Sequence, residues 1–337
     1  MTTVDSELVT ADESPANAKP ARTWKSQVIN WARRIMIVAV VVGAGYYLWS
    51  RWDEVVSTLW TIPWYSAVLS MLAVCAGVVV AGFSWRVVVN DLGAAVGYVR
   101  GSQIYLVSQL GKYVPGSVWA YLLQMELGKK VGIPRARMFI STLVQVGVSV
   151  VAMLTLGVIA LPRLLEDNPQ ALWLYAALPL SLVALHPKVM TWGVNLGLKL
   201  LRKPPLEHRL RWATIGKTLG FALLANSLMG SHLWLLATAN GSFDPGLLLI
   251  CIGTMSIGIL AGILFFVVPS GAGARDVLVA LALTPAVGAT AAAAFAVASR
   301  VMFTVAELAM AGVAALLART TDHTRACDPT PDVTKGR

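Results

Sequence analysis

Apolar runs of membrane-crossing grade follow one another from Ile35 to Leu317, and nothing between them is large enough to build a water-soluble core. This constrains the fold more than any other feature. A hydrocarbon interior gives backbone N–H and C=O groups no partner, so segments of this kind cross as α-helices whose hydrogen bonds are internal. Of the 337 residues, 57% are hydrophobic and only 13% charged, against about 25% charged in a soluble domain. The chain therefore reads as an all-α polytopic integral membrane protein. At roughly 20 residues per span, the apolar runs allow about six to eight transmembrane helices.

The clearest spans are Trp64 to Val89, Met138 to Leu161, Trp212 to Ala239 and Leu247 to Val268. Ile35 to Trp49 is short but has Arg33-Arg34 before it and Tyr46, Tyr47, Trp49 and Trp52 at an interface position. Leu172 to Leu185 is also short and ends at His186-Pro187. The alanine-rich stretch Val287 to Leu317 contains Arg300 and is too long for one untilted span, so two short helices or one broken helix are expected there. The organisation is a polar tail over residues 1–34, a membrane domain over 35–318 and a disordered tail over 319–337.

The net charge of +10 is concentrated in the connections and tails. Cationic loops stay on the cytoplasmic side, which orders the spans. Lys19, Arg22, Lys25, Arg33 and Arg34 place the N-terminus in the cytoplasm of a cell whose inner membrane holds the protein. Arg86 and Arg100 return the chain to that side, and Lys129, Lys130, Arg135 and Arg137 are there too. Lys188, Lys199, Arg202, Lys203, Arg209, Arg211 and Lys217 mark the largest cytoplasmic connection, with an interfacial helix over Val189 to Leu201. Both termini are expected inside. The basic charge fits anionic lipid headgroups better than nucleic acid.

The segment Gly101 to Gln124 thus begins and ends on one side. It reads as a re-entrant hairpin with Tyr113-Val114-Pro115-Gly116 at its tip, or as an amphipathic helix pair lying on the membrane. A second Pro/Gly break, Pro269-Ser270-Gly271-Ala272-Gly273, interrupts apolar sequence near the same side and leads into Arg275-Asp276. Two spans precede a break in each half, which suggests a weak internal repeat about an axis along the membrane normal.

Non-helical backbone and fixed charge are tolerated in a membrane only where protein or a water-filled cavity satisfies them. Lys112 and Arg275 each adjoin a break whose free N–H groups favour an anion, with phosphate the natural guest. The alternative is that both cations snorkel to the interface. Gln109, Tyr113, Pro115, Gly116, Pro269, Gly271, Gly273, Asp276, Arg300 and Glu307 complete the candidate substrate-binding set. Arg300 and Glu307 stand about 10 Å apart along one helix, so each needs a partner elsewhere: Asp276 for Arg300, and Lys112 or Arg275 for Glu307. His232, with Asn226 and Ser231, is either a proton-coupling site or a packed histidine.

The sequence has no Gly-x-Ser-x-Gly elbow, His-Glu-x-x-His pair, Walker loop or carboxylate cluster of metal spacing, and its four histidines lie in different segments. No enzymatic activity, cofactor or metal is expected. Cys75, Cys251 and Cys327 are widely separated and suggest neither a disulfide framework nor zinc.

The run Gln109-Leu-Gly-Lys-Tyr-Val-Pro-Gly-Ser-Val-Trp119, followed by Lys129-Lys130-Val131-Gly132, resembles the first signature of the lysylphosphatidylglycerol synthase transmembrane family, also called the flippase-like or UPF0104 family. Pro269 to Asp276 is similar to its second signature, Pro-Gly-Gly-x-Gly-x-Arg-Glu, with Ser270 for a glycine and Asp276 for the glutamate. The similarity covers about Ile35 to Ala318. The resemblance implies a membrane domain that moves lipids between leaflets, which in well-known members precedes a soluble aminoacyl-transfer domain. With the sequence running only to Arg337, lysyl transfer is not expected. The expected function is translocation of an anionic phospholipid or polyprenyl-phosphate conjugate. Two other readings remain: a non-transporting partner of a lipid-modifying enzyme or glycosyltransferase, and an intramembrane enzyme using Asp276 with His232.

Overall fold

The computed structural model describes residues 60–113, 118–165, 186–200, 210–239, 244–264 and 273–326, with isolated positions at 53, 56, 57, 179 and 183. The described residues form helices and turns only. In chain order these are α1 (Trp64–Asp91), α2 (Tyr98–Gln109), a 3-10 turn (Leu110–Tyr113), α3 (Val118–Lys130) and α4 (Arg135–Leu165). Then come α5 (Pro187–Leu200), α6 (Trp212–Ala237), α7 (Pro245–Leu264), α8 (Ala274–Val287) and α9 (Ala289–Ala326). Five stretches are long and apolar enough to cross a membrane: Trp64–Asp91, Arg135–Val158, Trp212–Ala237, Pro245–Leu264 and Ala289–Thr320. The protein is an all-α, multi-pass membrane protein. The expected spans at Ile35 to Trp49 and Leu172 to Leu185 lie outside the described residues, apart from the isolated positions 179 and 183.

The bundle is organised around the antiparallel pair α1 and α6, which make the most extensive helix contact. Lipid tails are as apolar as leucine side chains, so association inside a bilayer depends on close packing and interhelical hydrogen bonds. Both are present. Buried residues recur at seven-residue intervals on α1 (the small Ser70, Gly77 and Ser84) and on α6 (Thr218, Ala225 and the larger His232), the period that keeps one face of each helix on its partner. Ser70 Oγ donates to the His232 carbonyl at 3.0 Å and Ser84 Oγ to the Thr218 carbonyl at 3.0 Å. Side chains such as Leu69 and Leu72 of α1 and Val301, Val305 and Leu308 of α9 remain exposed, as lipid-facing surface requires.

The first break is a helical hairpin. Its arms, α2 with 12 residues and α3 with 13, are each about 20 Å long at 1.5 Å per residue and fall short of a hydrocarbon core of about 30 Å. They pack against one another, and α2 also lies against α1 and α9. The close approach rests on Gly111, where an added Cβ would lie 2.5 Å from the Ala120 nitrogen and 2.6 Å from its Cα. The hairpin tip, with Pro115 and Gly116, lies outside the described residues.

At the second break, Pro269 and Gly271 also lie outside them. The chain re-emerges at Gly273, whose φ of +88° suits glycine, and continues into the 14-residue α8. A second left-handed glycine, Gly288 at φ +82°, ends α8 just beyond Pro285 and turns the chain back. The corner therefore falls at the second residue of the stretch Val287 to Leu317, ahead of its alanine run. That run is one 38-residue helix, Ala289–Ala326, and not the two helices or broken helix expected from its length. Alanine is the strongest helix former, and no proline interrupts the run. The same helix continues past residue 318, so the start of the expected disordered tail is helical through Ala326. Where an interfacial helix is expected over Val189 to Leu201, α5 spans Pro187–Leu200, with Trp192 and Leu196 exposed.

Substituting Gly111→Ala should force the hairpin apart, because the clash is with backbone. A loss of about 1–3 kcal/mol is expected, as for overpacked cores. Gly216→Ala, where an added Cβ meets no atom within 4 Å, should leave thermal unfolding in detergent unchanged or slightly raised.

Candidate functional site: a charged cavity between the two breaks

A cavity of about 430 Å³ lies inside the bundle, walled by residues of every described helix except α5. Its wall contains Lys112 from the first break and Arg275 from the helix that follows the second. The two breaks, far apart in sequence, thus converge on one space. Gln109 and Glu307 also line it.

Glu307 on α9 is the centre of the contacts. It is 4% exposed, and its Oε1 accepts from Lys112 Nζ at 2.5 Å while its Oε2 accepts from Tyr113 Oη at 2.8 Å. A carboxylate in apolar surroundings must be paired and hydrogen-bonded to stay ionised. This clasp satisfies both requirements and ties the hairpin turn to α9. Tyr113 therefore acts on the site through Glu307.

Arg275 sits in the first turn of α8, where the close approach of Gly258 makes room for it: an added Cβ there would lie 3.0 Å from Arg275 Cγ. Its guanidinium carbon stands 4.5 Å from the centre of the Phe303 ring, a cation–π arrangement. Arg275 is only 8% exposed, and its buried Nε has no hydrogen-bond partner. The nearest carboxylate oxygen to that Nε, Asp276 Oδ1 at 3.8 Å, is beyond hydrogen-bond range. Two cations against one carboxylate leave the cavity wall with one positive charge in excess.

The remaining candidates form a separate cluster. Arg300 Nη1 donates to both carboxylate oxygens of Asp276, at 3.0 and 2.8 Å, and Gly273 N–H donates to Asp276 Oδ2 at 3.1 Å. Asp276 thus caps α8 and anchors it to α9. Neither Arg300 nor Asp276 is among the residues lining this cavity; in this structure the pair braces α8 on α9. Pro115, Gly116, Pro269 and Gly271 belong to the undescribed stretches.

His232 is fully buried. Its Nε2 is 2.9 Å from Ser299 Oγ, its Nδ1 meets the Met229 carbonyl, and its ring stacks edge-on against Phe303 at 5.3 Å. Ser231 and Asn226 bond to carbonyls of their own helix instead. His232 is a packed histidine. With Asp276 held by Arg300 and Gly273, the acid–base pair of an intramembrane enzyme is not assembled.

Phe303 and Ser299 were not singled out from the sequence. A signal exists, because Ser299, Arg300, Phe303 and Glu307 recur at helical spacing of three and four on α9. An uncharged polar set was also missed as a unit: Gln124, Thr142, Gln145, Ser149 and Asn226 bring amides and hydroxyls from α3, α4 and α6 to the same cavity.

A multi-pass helical membrane protein with a positively charged internal cavity is the class this geometry defines. The family model described as lysylphosphatidylglycerol synthase TM region matches residues 36–311, and the chain belongs to that family. Comparison with curated proteins returns no match.

Breaking the α8–α9 brace should destabilise the fold. Asp276→Asn is expected to lower stability by about 1–3 kcal/mol for a half-buried hydrogen-bonded pair, and Arg300→Met by a similar amount. The double variant should lose less than the sum, a coupling that unfolding in detergent would measure.

Proposed function

We propose that this protein translocates lipids bearing an anionic headgroup across the cytoplasmic membrane, with Lys112 and Arg275 holding the phosphate. The observation that supports this most is Arg275: a cation almost wholly enclosed, with an unpartnered N–H, in a cavity with positive charge in excess. Burying such a group with an unmade hydrogen bond, and with its nearest carboxylate shared with Arg300, is expensive. An incoming phosphodiester would supply the missing acceptor and the missing charge.

Glu307 is the resident anion in this reading. In the empty site it occupies Lys112; an arriving phosphate takes its place, and Glu307 recaptures Lys112 as the headgroup leaves. A site that moves its ligand must bind well enough to admit it and weakly enough to release it. An internal competitor provides that balance. The two breaks, whose proline and glycine residues disfavour regular helix, are the natural hinges. The protein acts here as a transporter and not as an enzyme. Its termini and both breaks face the cytoplasm, following the cationic loops.

Reconstituted into liposomes, the protein should move fluorescent anionic phospholipid between leaflets. Lys112→Ala and Arg275→Ala should each slow this at least tenfold, with folding checked by thermal unfolding. Glu307→Gln should bind the headgroup more tightly yet transport it more slowly. Unchanged movement in both cation variants would sink the assignment of this cavity.

A further inference from the structure

The cations account for only part of the cavity lining. Gln124 on α3 is 3% exposed and Asn226 on α6 is 4% exposed, and both line the same space. Each amide is half satisfied. Gln124 Oε1 accepts from Thr142 Oγ1 at 3.0 Å, while its Nε2 has no partner. Asn226 Nδ2 donates to the Ala222 carbonyl at 2.8 Å, while its Oδ1 has none. Buried polar groups in folded proteins are nearly always hydrogen-bonded, so a leftover donor and a leftover acceptor in one cavity wall point to a ligand.

We infer that Gln124 and Asn226 form a second subsite for an uncharged hydroxyl-bearing group, making the ligand a phosphate ester of a polyol, glycerol or sugar. This rests on the reading of the cavity as an anionic-headgroup site. A hydroxyl both donates and accepts, which matches the Asn226 Oδ1 acceptor and the Gln124 Nε2 donor. Gln145, whose Nε2 donates to Ser149 Oγ at 3.0 Å, extends the same uncharged polar wall.

The arrangement also discriminates against amine-bearing headgroups. An ammonium is best offset by a carboxylate, and Glu307, the carboxylate in the cavity wall, is held by Lys112 and Tyr113 and keeps its Tyr113 bond when a phosphate draws Lys112 away. Asp276 is engaged by Arg300 and the Gly273 N–H. An ammonium in this space would face Lys112 and Arg275 at low dielectric, where like charges repel strongly. Aminoacylated and ethanolamine headgroups are therefore disfavoured, and a polyol is accepted.

The test is equilibrium binding to the purified full chain. The probes are short-chain phosphatidylglycerol, phosphatidic acid, phosphatidylethanolamine and lysyl-phosphatidylglycerol, with soluble glycerol 3-phosphate as a competitor. Phosphatidylglycerol should bind about tenfold more tightly than phosphatidic acid, the factor that one or two net hydrogen bonds provide, and more tightly than both amine lipids. Gln124→Leu and Asn226→Leu should erase the preference over phosphatidic acid while leaving phosphatidic acid binding unchanged.

Equal wild-type affinity for phosphatidylglycerol and phosphatidic acid overturns the polyol subsite and leaves the cation site standing; this comparison needs no variant to fold. Tighter binding of either amine lipid overturns the inference as well. An undiminished preference in both leucine variants means that water alone satisfies the two amides, and the subsite falls. Failure to bind any of the probes overturns the inference and the proposed function together. Glycerol 3-phosphate competing as well as the lipid would uphold the polyol-phosphate chemistry but identify a soluble ligand, and the lipid reading would fall instead.

Discussion

Glu307 is the point on which the interior depends. An ionised carboxylate in the middle of an apolar helix is unstable unless cations and hydrogen-bond donors reach it. Here Lys112 and Tyr113 do so from a turn almost two hundred residues earlier in the chain. That requirement brings the first break against α9. With α2 and α3 too short to cross, the hairpin would otherwise have only its packing on α1, α4 and α9 to hold it at depth. The clasp thus fixes the position of a non-spanning element by charge, and it sets one wall of the cavity in doing so.

The second break reaches the same place by different means. Two left-handed glycines, Gly273 and Gly288, delimit α8, and Asp276 both caps that helix and pairs with Arg300 on α9. With its neighbour committed to Arg300, Arg275 is left facing the cavity, stacked on Phe303. Adjacent charges in sequence have thus been given separate work: Asp276 braces, and Arg275 faces the cavity. Lys112 and Arg275 differ in a matching way. The lysine is occupied by Glu307 and can exchange partners, whereas the arginine has an Nε that no protein oxygen within hydrogen-bond range takes up.

Much of this could be read from sequence. The spans from Trp64, Met138, Trp212 and Leu247 are legible because hydropathy and length alone constrain a helix in hydrocarbon, where unpaired backbone is not tolerated. The hairpin is legible because basic loops on both sides of Gly101 to Gln124 leave it no net crossing. The alanine-rich helix was not, since length argued for a break within the alanine run while the composition favoured continuity, and the corner falls at Gly288, the second residue of the stretch considered. Asn226 was legible only beside His232, and nothing in the sequence tied it to Gln124. Their shared cavity depends on how α3 and α6 pack, about which spacing along one helix says nothing.

The sequence by itself therefore determined the membrane class, the two interruptions and the ionisable residues that need partners, because each follows from the low dielectric and from the absence of water inside a bilayer. Only the tertiary structure decided who meets whom. It assigned Glu307 to Lys112 and Tyr113, Asp276 to Arg300, and His232 to Ser299 and Phe303, and it left Arg275 facing a cavity that two half-satisfied amides also line. The reason is physical: the penalty of a buried charge is a local property that composition reveals, while its relief depends on the crossing and register of helices distant in the chain.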